Sequence, residues 1–188
     1  VFLEETYDII SNKNKINPRR FILFADKEQI KSFFINKENI DIERRYFFEF
    51  NKNFTKTAEL PSNCELKTID AEIISKMEGR ITPYFSWSNA GDFLSNGKGY
   101  CIIINGEIAA WAFSSAVSDD EIETQEHYQN RGFAAIVSKA MIKYILEHNK
   151  KPVWECHYKN LASAKLAEKI GFDKTAECFI IKRKYNEN

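Results

Sequence analysis

The six residues Gln129-Asn130-Arg131-Gly132-Phe133-Ala134 constrain this chain more than any other feature, because of what flanks them. The run Glu121-Ile122-Glu123-Thr124 ahead of them reads as a strand. Behind them Phe133, Ile136, Val137, Ala140, Met141, Tyr144 and Ile145 recur at spacings of three and four, which predicts a fifteen-residue helix with one apolar stripe, packed on a sheet. A strand-to-helix junction is an anion site: the first N–H groups of a helix have no partner within it and carry its partial positive charge. Gly132 accepts backbone angles that other residues avoid, and the small Gly132 and Ala134 let a diphosphate approach the main chain closely. Two or three charge-assisted hydrogen bonds contribute roughly 1.5–3 kcal/mol each and the helix end about 0.3–1, approaching the roughly 8 kcal/mol of micromolar binding. The same six residues also suit a capped core helix after an ordinary turn, so the remaining sequence has to decide between the two.

The chain has 188 residues, enough for one sizeable domain or one domain with an incomplete appendage. Its 27 basic and 27 acidic residues balance to zero, which argues against a nucleic-acid or membrane-surface partner. No apolar run approaches the roughly eighteen residues of a membrane span, and the opening Val1-Phe2-Leu3-Glu4-Glu5 does not read as a signal peptide, so a cytoplasmic location is expected. A start at Val1 rather than methionine points to a natural protein that begins earlier. Cys64, Cys101, Cys156 and Cys178 are widely spaced without matching histidines, so no metal and no disulfide framework is expected; each reads as a small apolar filler of the core.

The turn-rich stretch Leu60-Pro61-Ser62-Asn63 divides the sequence into an N-terminal α/β portion, residues 1–63, and a second portion, 64–188. In the first, Phe21 to Ala25 reads as a buried strand, Lys27 to Asn36 as a short helix and Tyr46 to Phe50 as a second strand. In the second, Cys64 to Ile69 reads as a strand and Ala71 to Glu78 as a helix capped by Gly79. Ile81 to Lys98 looks irregular. Tyr100 to Ile104, the turn Asn105-Gly106 and Glu107 to Val117 form a hairpin, because Asn-Gly suits the type I′ turn that joins twisted strands. After the long helix come the strand Val153 to His157, a helix from Leu161 to Ile170 with Asn160 as N-cap and Gly171 as terminator, and a last strand, Phe179 to Lys182.

Hairpin, strand, Gln-x-x-Gly-x-Ala, amphipathic helix, strand, then Asn160-x-x-Ser163 and Leu166-Ala167-Glu168-Lys169-Ile170-Gly171-Phe172: this order resembles the GNAT N-acetyltransferase superfamily from about Cys64 to Lys182. It is most similar to a bacterial branch with a Trp-x-Cys strand, here Trp154-Glu155-Cys156, an Asp-Phe-Leu segment near two glycines, here Asp92-Phe93-Leu94 with Gly97 and Gly99, and a divergent N-terminal half. The resemblance implies an α/β (α+β) fold with a mixed, mostly antiparallel central sheet flanked by helices and strands splayed at the cofactor site. It also implies acetyl-CoA as co-substrate, an amine acceptor, and a monomer or homodimer. The diphosphate would sit on the amides of Arg131, Gly132, Phe133 and Ala134, with Gln129 and Asn130 in the supporting loop. Pantetheine would pair with the edge of the Glu121–Thr124 strand at Glu123 and Thr124, where a backbone N–H polarises the thioester carbonyl. Asn160 and Ser163 would contact the cofactor's far side, Asn160 being equally an N-cap.

Attack by an amine on a thioester needs a base, since an alkylamine is almost wholly protonated at pH 7. Glu155 is the first candidate, five residues ahead of Asn160, where ribosomal-protein alanine acetyltransferases of this superfamily carry a base glutamate. Glu123 is the second, with Glu121 on its face of the strand. Many members carry a tyrosine general acid after the leucine of the second helix. Here that position is Ala167, so either the general acid lies elsewhere, with Tyr158 the nearest alternative, or the thiolate leaves without direct help; the same departure makes a catalytically silent CoA-binding module a second reading. His157 reads as structural. Tyr84, Phe85 and Trp87 are either walls of an acceptor pocket or core aromatics beneath a loop. A dinucleotide-binding unit fits poorly, for want of Gly-x-Gly-x-x-Gly and because of the antiparallel hairpin.

Overall fold

The computed structural model describes residues 1–11, 23–51, 60–79, 81–115 and 128–184, and the backbone alone of 120–124. Phe21, the end of the hairpin at Val117, and the side chains of Glu121, Glu123 and Thr124 therefore lie outside the described residues. The chain divides into two compact units, each discontinuous in sequence: Val1–Phe48 with Glu155–Ala164 and Lys174–Asn188, and Glu49–Trp154 with Lys165–Asp173.

The second unit is built on an antiparallel sheet of order β3-β4-β5-β6, with β3 Cys64–Thr68, β4 Gly99–Ile104, β5 Glu107–Ser114 and β6 Asp120–Thr124. The β4–β5 turn has Asn105 at φ 51° and Gly106 at φ 88°, the two positive angles of the expected type I′ hairpin. Ala109 to Phe113 are all fully buried because β5 is covered on both faces. On one face Ala110 and Ala112 belong to a cluster with Phe133, Val137 and Met141 of α5, Phe133–Glu147. The two methyl side chains leave room for the helix to sit close to the sheet. On the other face Trp111 and Phe113 pack with Ile73 and Ile74 of α3, Ala71–Lys76, and Phe93 of α4, Ala90–Asn96. The indole N–H of Trp111 donates to the Ile81 carbonyl at 2.6 Å.

Two expectations for this unit need correction. Helix α3 ends at Lys76 with Met77 already extended, so Gly79 does not terminate it; its N-terminus is set by Asp70, whose Oδ1 accepts the Ile73 N–H at 2.8 Å. The stretch from Ile81 to Lys98 is not irregular throughout: it holds a 3-10 turn at Pro83–Phe85 and the seven-residue α4. Helix α4 is nucleated by Asn89, whose Oδ1 accepts the Asp92 N–H at 2.9 Å. Gly97 and Gly99 are sites of close approach, since a Cβ at Gly99 would lie 2.6 Å from Ile69 Cδ1 and 2.9 Å from Phe113 Cβ.

A second sheet has the order β1-β8-β2-β7, from β1 Leu23–Ala25, β2 Ile40–Phe50, β7 Val153–His157 and β8 Phe172–Arg183. Helices α1 Phe2–Ser11 and α2 Glu28–Phe34 supply Ile10 and Phe34 to a core with Ala25, Ile40 and Ile181, and β1 runs antiparallel to β8. Helix α1 is not among the elements expected from the sequence. Strands β2 and β8 are also longer than Tyr46–Phe50 and Phe179–Lys182, because the charges that made their ends look solvated are paired within the sheet: Lys182 Nζ lies 2.5 Å from Glu43 Oε1. Helix α6 runs Leu161–Ile170 as expected.

Candidate active site

Gly132 is the N-cap residue of α5 in a left-handed conformation, φ 84° and ψ 1°, and offers no side chain to cap the helix. The first intrahelical bond runs from the Ile136 N–H to the Gly132 carbonyl at 3.3 Å, so the amides of Phe133, Ala134 and Ala135 have no acceptor inside the helix. Asn130 is also left-handed, φ 61°. Among the described residues a Cβ built on Gly132 would meet no atom within 4 Å, so there is open space beside the glycine that a side chain would begin to fill. Gln129, Asn130, Arg131 and Gly132 are exposed, whereas Phe133 is buried and anchors the helix beneath them.

The loop is tied down by a residue that sequence reasoning missed. Tyr128 is buried; its hydroxyl donates to Glu107 Oε2 at 2.9 Å and its ring meets Phe133 edge-on at 6.2 Å. The Arg131 guanidinium carbon lies 5.4 Å from the centre of the same ring. The hydrogen bond to Glu107, seconded by burial, pushes the phenol pKa up, so Tyr128 stays a proton donor to that carboxylate. The available signal was an aromatic residue directly ahead of the Gln-x-x-Gly run.

Strand β6 ends one sheet order and β7 the other. The backbone pairing of β6 with β5 places Glu123 opposite Trp111 and Thr124 opposite Ala110, and on its other side β6 has no neighbouring strand among the described residues.

On β7, Glu155 is mostly buried and its Oε1 lies 2.5 Å from the guanidinium of Arg45 on β2, which also faces Glu43 at 3.8 Å. Arg45 was absent from the sequence reading. Its Nε is buried without a hydrogen-bond partner among the described residues. Asn160 caps α6: its Oδ1 accepts the Ser163 N–H at 3.1 Å. Ser163 hydrogen-bonds the buried Cys156 thiol, whose pKa burial raises. Tyr158 donates its N–H to the Arg44 carbonyl at 3.0 Å, and the Arg44 guanidinium and Lys159 ammonium lie 5.7 and 5.6 Å from the centre of its ring. The His157 ring lies tilted against that ring, centroids 4.9 Å apart, and its Nδ1 accepts the Lys159 N–H at 3.2 Å. Ala167 is fully buried. Gln129 to Ala134 belong to one unit; Glu155, Tyr158, Asn160 and Ser163 belong to the other.

The three aromatics of the acceptor expectation do not form one wall. Tyr84 and Phe85 are well exposed, at 58% and 63%. Trp87 turns inward: its indole N–H donates to the Ser114 carbonyl at 2.6 Å, and it lines a cavity of about 280 Å³ with Lys98, Met141, Tyr144 and Ile145.

The GNAT acetyltransferase family matches residues 3–180. The uncharacterized N-acetyltransferase YdfB of Bacillus subtilis (strain 168) is 30% identical over 168 residues, covering 85% of this chain and 64% of that protein, so the chain spans just under two thirds of this relative's length. Among solved structures, a GCN5-related N-acetyltransferase-like protein from Streptococcus suis 89/1591 aligns with a TM-score of 0.71 at 19% identity, over 93% of this chain and 76% of that one. A GCN5-related N-acetyltransferase from Kribbella flavida aligns with a TM-score of 0.57 at 13% identity, over 82% of this chain and 64% of that one. At these identities the solved structures establish the shared fold.

Proposed function

The chain belongs to the GNAT acetyltransferase family, and from that premise we propose that it transfers an acetyl group from acetyl-CoA to a primary amine, either of a small molecule or of an exposed amino group. The observation that carries this reading is the N-terminus of α5 at a left-handed Gly132 that offers no side-chain cap, with no atom of the described residues within 4 Å of where a Cβ would project. That cradle fits a diphosphate, and Arg131, Gly132, Phe133 and Ala134 are the residues that would hold it, with Gln129 and Asn130 shaping the loop. Acetyl-CoA supplies an acetyl group activated as a thioester. The remaining work falls to the protein. The edge of β6 at Glu123 and Thr124 offers backbone N–H and C=O groups for an extended chain, and one N–H there is the donor to a developing oxyanion. Glu155 takes the proton from the incoming ammonium, directly or through water, while Arg45 holds its carboxylate in one orientation. Asn160 and Ser163 border the cofactor, and Tyr158 is the proton donor to the departing sulfur. Tyr84 and Phe85, exposed on the segment ahead of α4, contact the acceptor; Trp87 braces that segment.

Calorimetry with acetyl-CoA, followed by thiol release against a panel of amines, tests the reading. Glu155→Gln is expected to lower turnover while leaving acetyl-CoA affinity nearly unchanged; an unaltered rate moves the base to Glu123 or to water. Ala167, buried where a tyrosine acid would stand, favours a second reading, a CoA-binding sensor without catalysis. Tight CoA binding with no acetylated product would support it.

A further inference from the structure

Four groups at the α5 junction form a line: the Glu107 carboxylate, the Tyr128 hydroxyl 2.9 Å from it, the Tyr128 ring, and the Arg131 guanidinium over that ring. Glu107 opens β5 directly after the Asn105-Gly106 turn, so its position is set by the hairpin and not by the loop. The hydrogen bond fixes the outer end of the tyrosine, Phe133 meets its ring in a T-shaped contact, and the Arg131 guanidinium lies over the ring. An arginine in water samples many rotamers, and ordering it on binding costs affinity; a shelf that holds it beforehand removes that cost. The shelf also decides where the charge sits, on the residue next to the Gly132 cap at the start of α5.

We propose that Tyr128, anchored by Glu107, is a positioning residue for the anion site: it holds Arg131 in place so that guanidinium and helix amides act together on one diphosphate. The inference rests on the reading of that loop as the CoA diphosphate cradle. It makes a prediction opposite in sign to simple Coulomb reasoning. Glu107 is an anion near an anion site, so its removal should tighten binding if charge alone matters. If Glu107 anchors the shelf, its removal weakens binding.

The test is calorimetric titration of the full chain with CoA, for the wild type, Y128L, E107A, R131M and the doubles Y128L/R131M and E107A/R131M. Loss of Arg131 is expected to weaken CoA binding about 10-fold or more, the range of one charge-assisted contact. Y128L is expected to weaken it about 2–5-fold, the range of a lost cation–π shelf, and E107A by a similar factor. In the R131M background both losses should vanish to within about a factor of two, because what they position is gone. A merely structural role for Tyr128 would weaken binding equally in either background and would overturn the proposal, as would tighter binding by E107A. Should Y128L not fold, E107A and its double carry the same decision, since Glu107 is exposed. A wild type that fails to bind CoA would defeat the reading of the loop itself; CoA binding with additive losses would defeat the positioning role alone.

Discussion

Replacing Gly132 with alanine separates the backbone demand of the anion loop from its ligand role, because the hairpin supplies a matched control. Gly132 stands at φ 84° and Gly106 at φ 88°, and at neither would an added Cβ meet an atom within 4 Å. The folded-state penalty is therefore backbone strain in both cases, about 1–2 kcal/mol for an alanine held left-handed. For a protein of this size each kcal/mol lowers Tm by about 2–4 °C, so each variant is expected to melt about 2–8 °C below wild type. Their ligand effects should diverge. In G132A the methyl group projects into the open cradle and holds a diphosphate away from the amides; forfeiting one charge-assisted hydrogen bond costs about 1.5–3 kcal/mol, or roughly 10–150-fold in Kd for CoA. G106A should bind CoA as the wild type does. Urea denaturation checks the first pair of values and calorimetry the second. If G132A binds CoA as tightly as G106A, the helix amides are not the cradle. If G106A loses as much affinity as G132A, the loss reports general loosening.

Three further outcomes follow from single residues. Trp111→Phe removes the bond to the Ile81 carbonyl and part of a fully buried ring, and should cost about 2–4 kcal/mol in urea denaturation. Arg45→Met leaves the Glu155 carboxylate mostly buried without its cation; a loss of about 1–3 kcal/mol is expected, with a smaller loss in the E155Q background, where no charge is stranded. Burial pushes the Cys101 thiol up from 9.0 to about 11. The unfolded thiol ionises first, so the stabilisation is complete below pH 9 and declines as pH rises through 9 to 11, by an amount on the order of 2 kcal/mol. Comparing pH-dependent denaturation of wild type and C101A isolates this slope, and equal slopes would refute it.

What could be read from the sequence was whatever a few neighbouring residues decide among themselves. The type I′ turn needs two left-handed residues and Asn105-Gly106 provides them. Helix α5 keeps its spacing for fifteen residues and ends at Glu147, with His148 as its C-cap. Helix α4 was hidden because seven residues with Gly91 inside show no period; Asn89, accepting from Asp92, was the local signal. Strand β2 was underestimated for a different reason. Asp41, Glu43 and Arg45 alternate on one face and look like a solvated edge until Lys182 and Glu155 arrive from elsewhere in the chain.

The same distinction divides the site. In the proposed site a diphosphate would be bound mainly by main-chain amides whose geometry Gly132 and the start of α5 set within a few residues, so a short motif announces it. The proposed base, Glu155, would be oriented by its ion pair with Arg45, 110 positions away, and the proposed shelf under Arg131 by Glu107 and Tyr128, 21 apart. Side chains recruited across such distances leave no periodic trace, because each needs only the right partner in the folded sheet. A motif that names the cofactor can therefore be shared by proteins whose acceptors differ: the cofactor is held by backbone that every such loop reproduces, while the acceptor is chosen by side chains that each chain brings together separately.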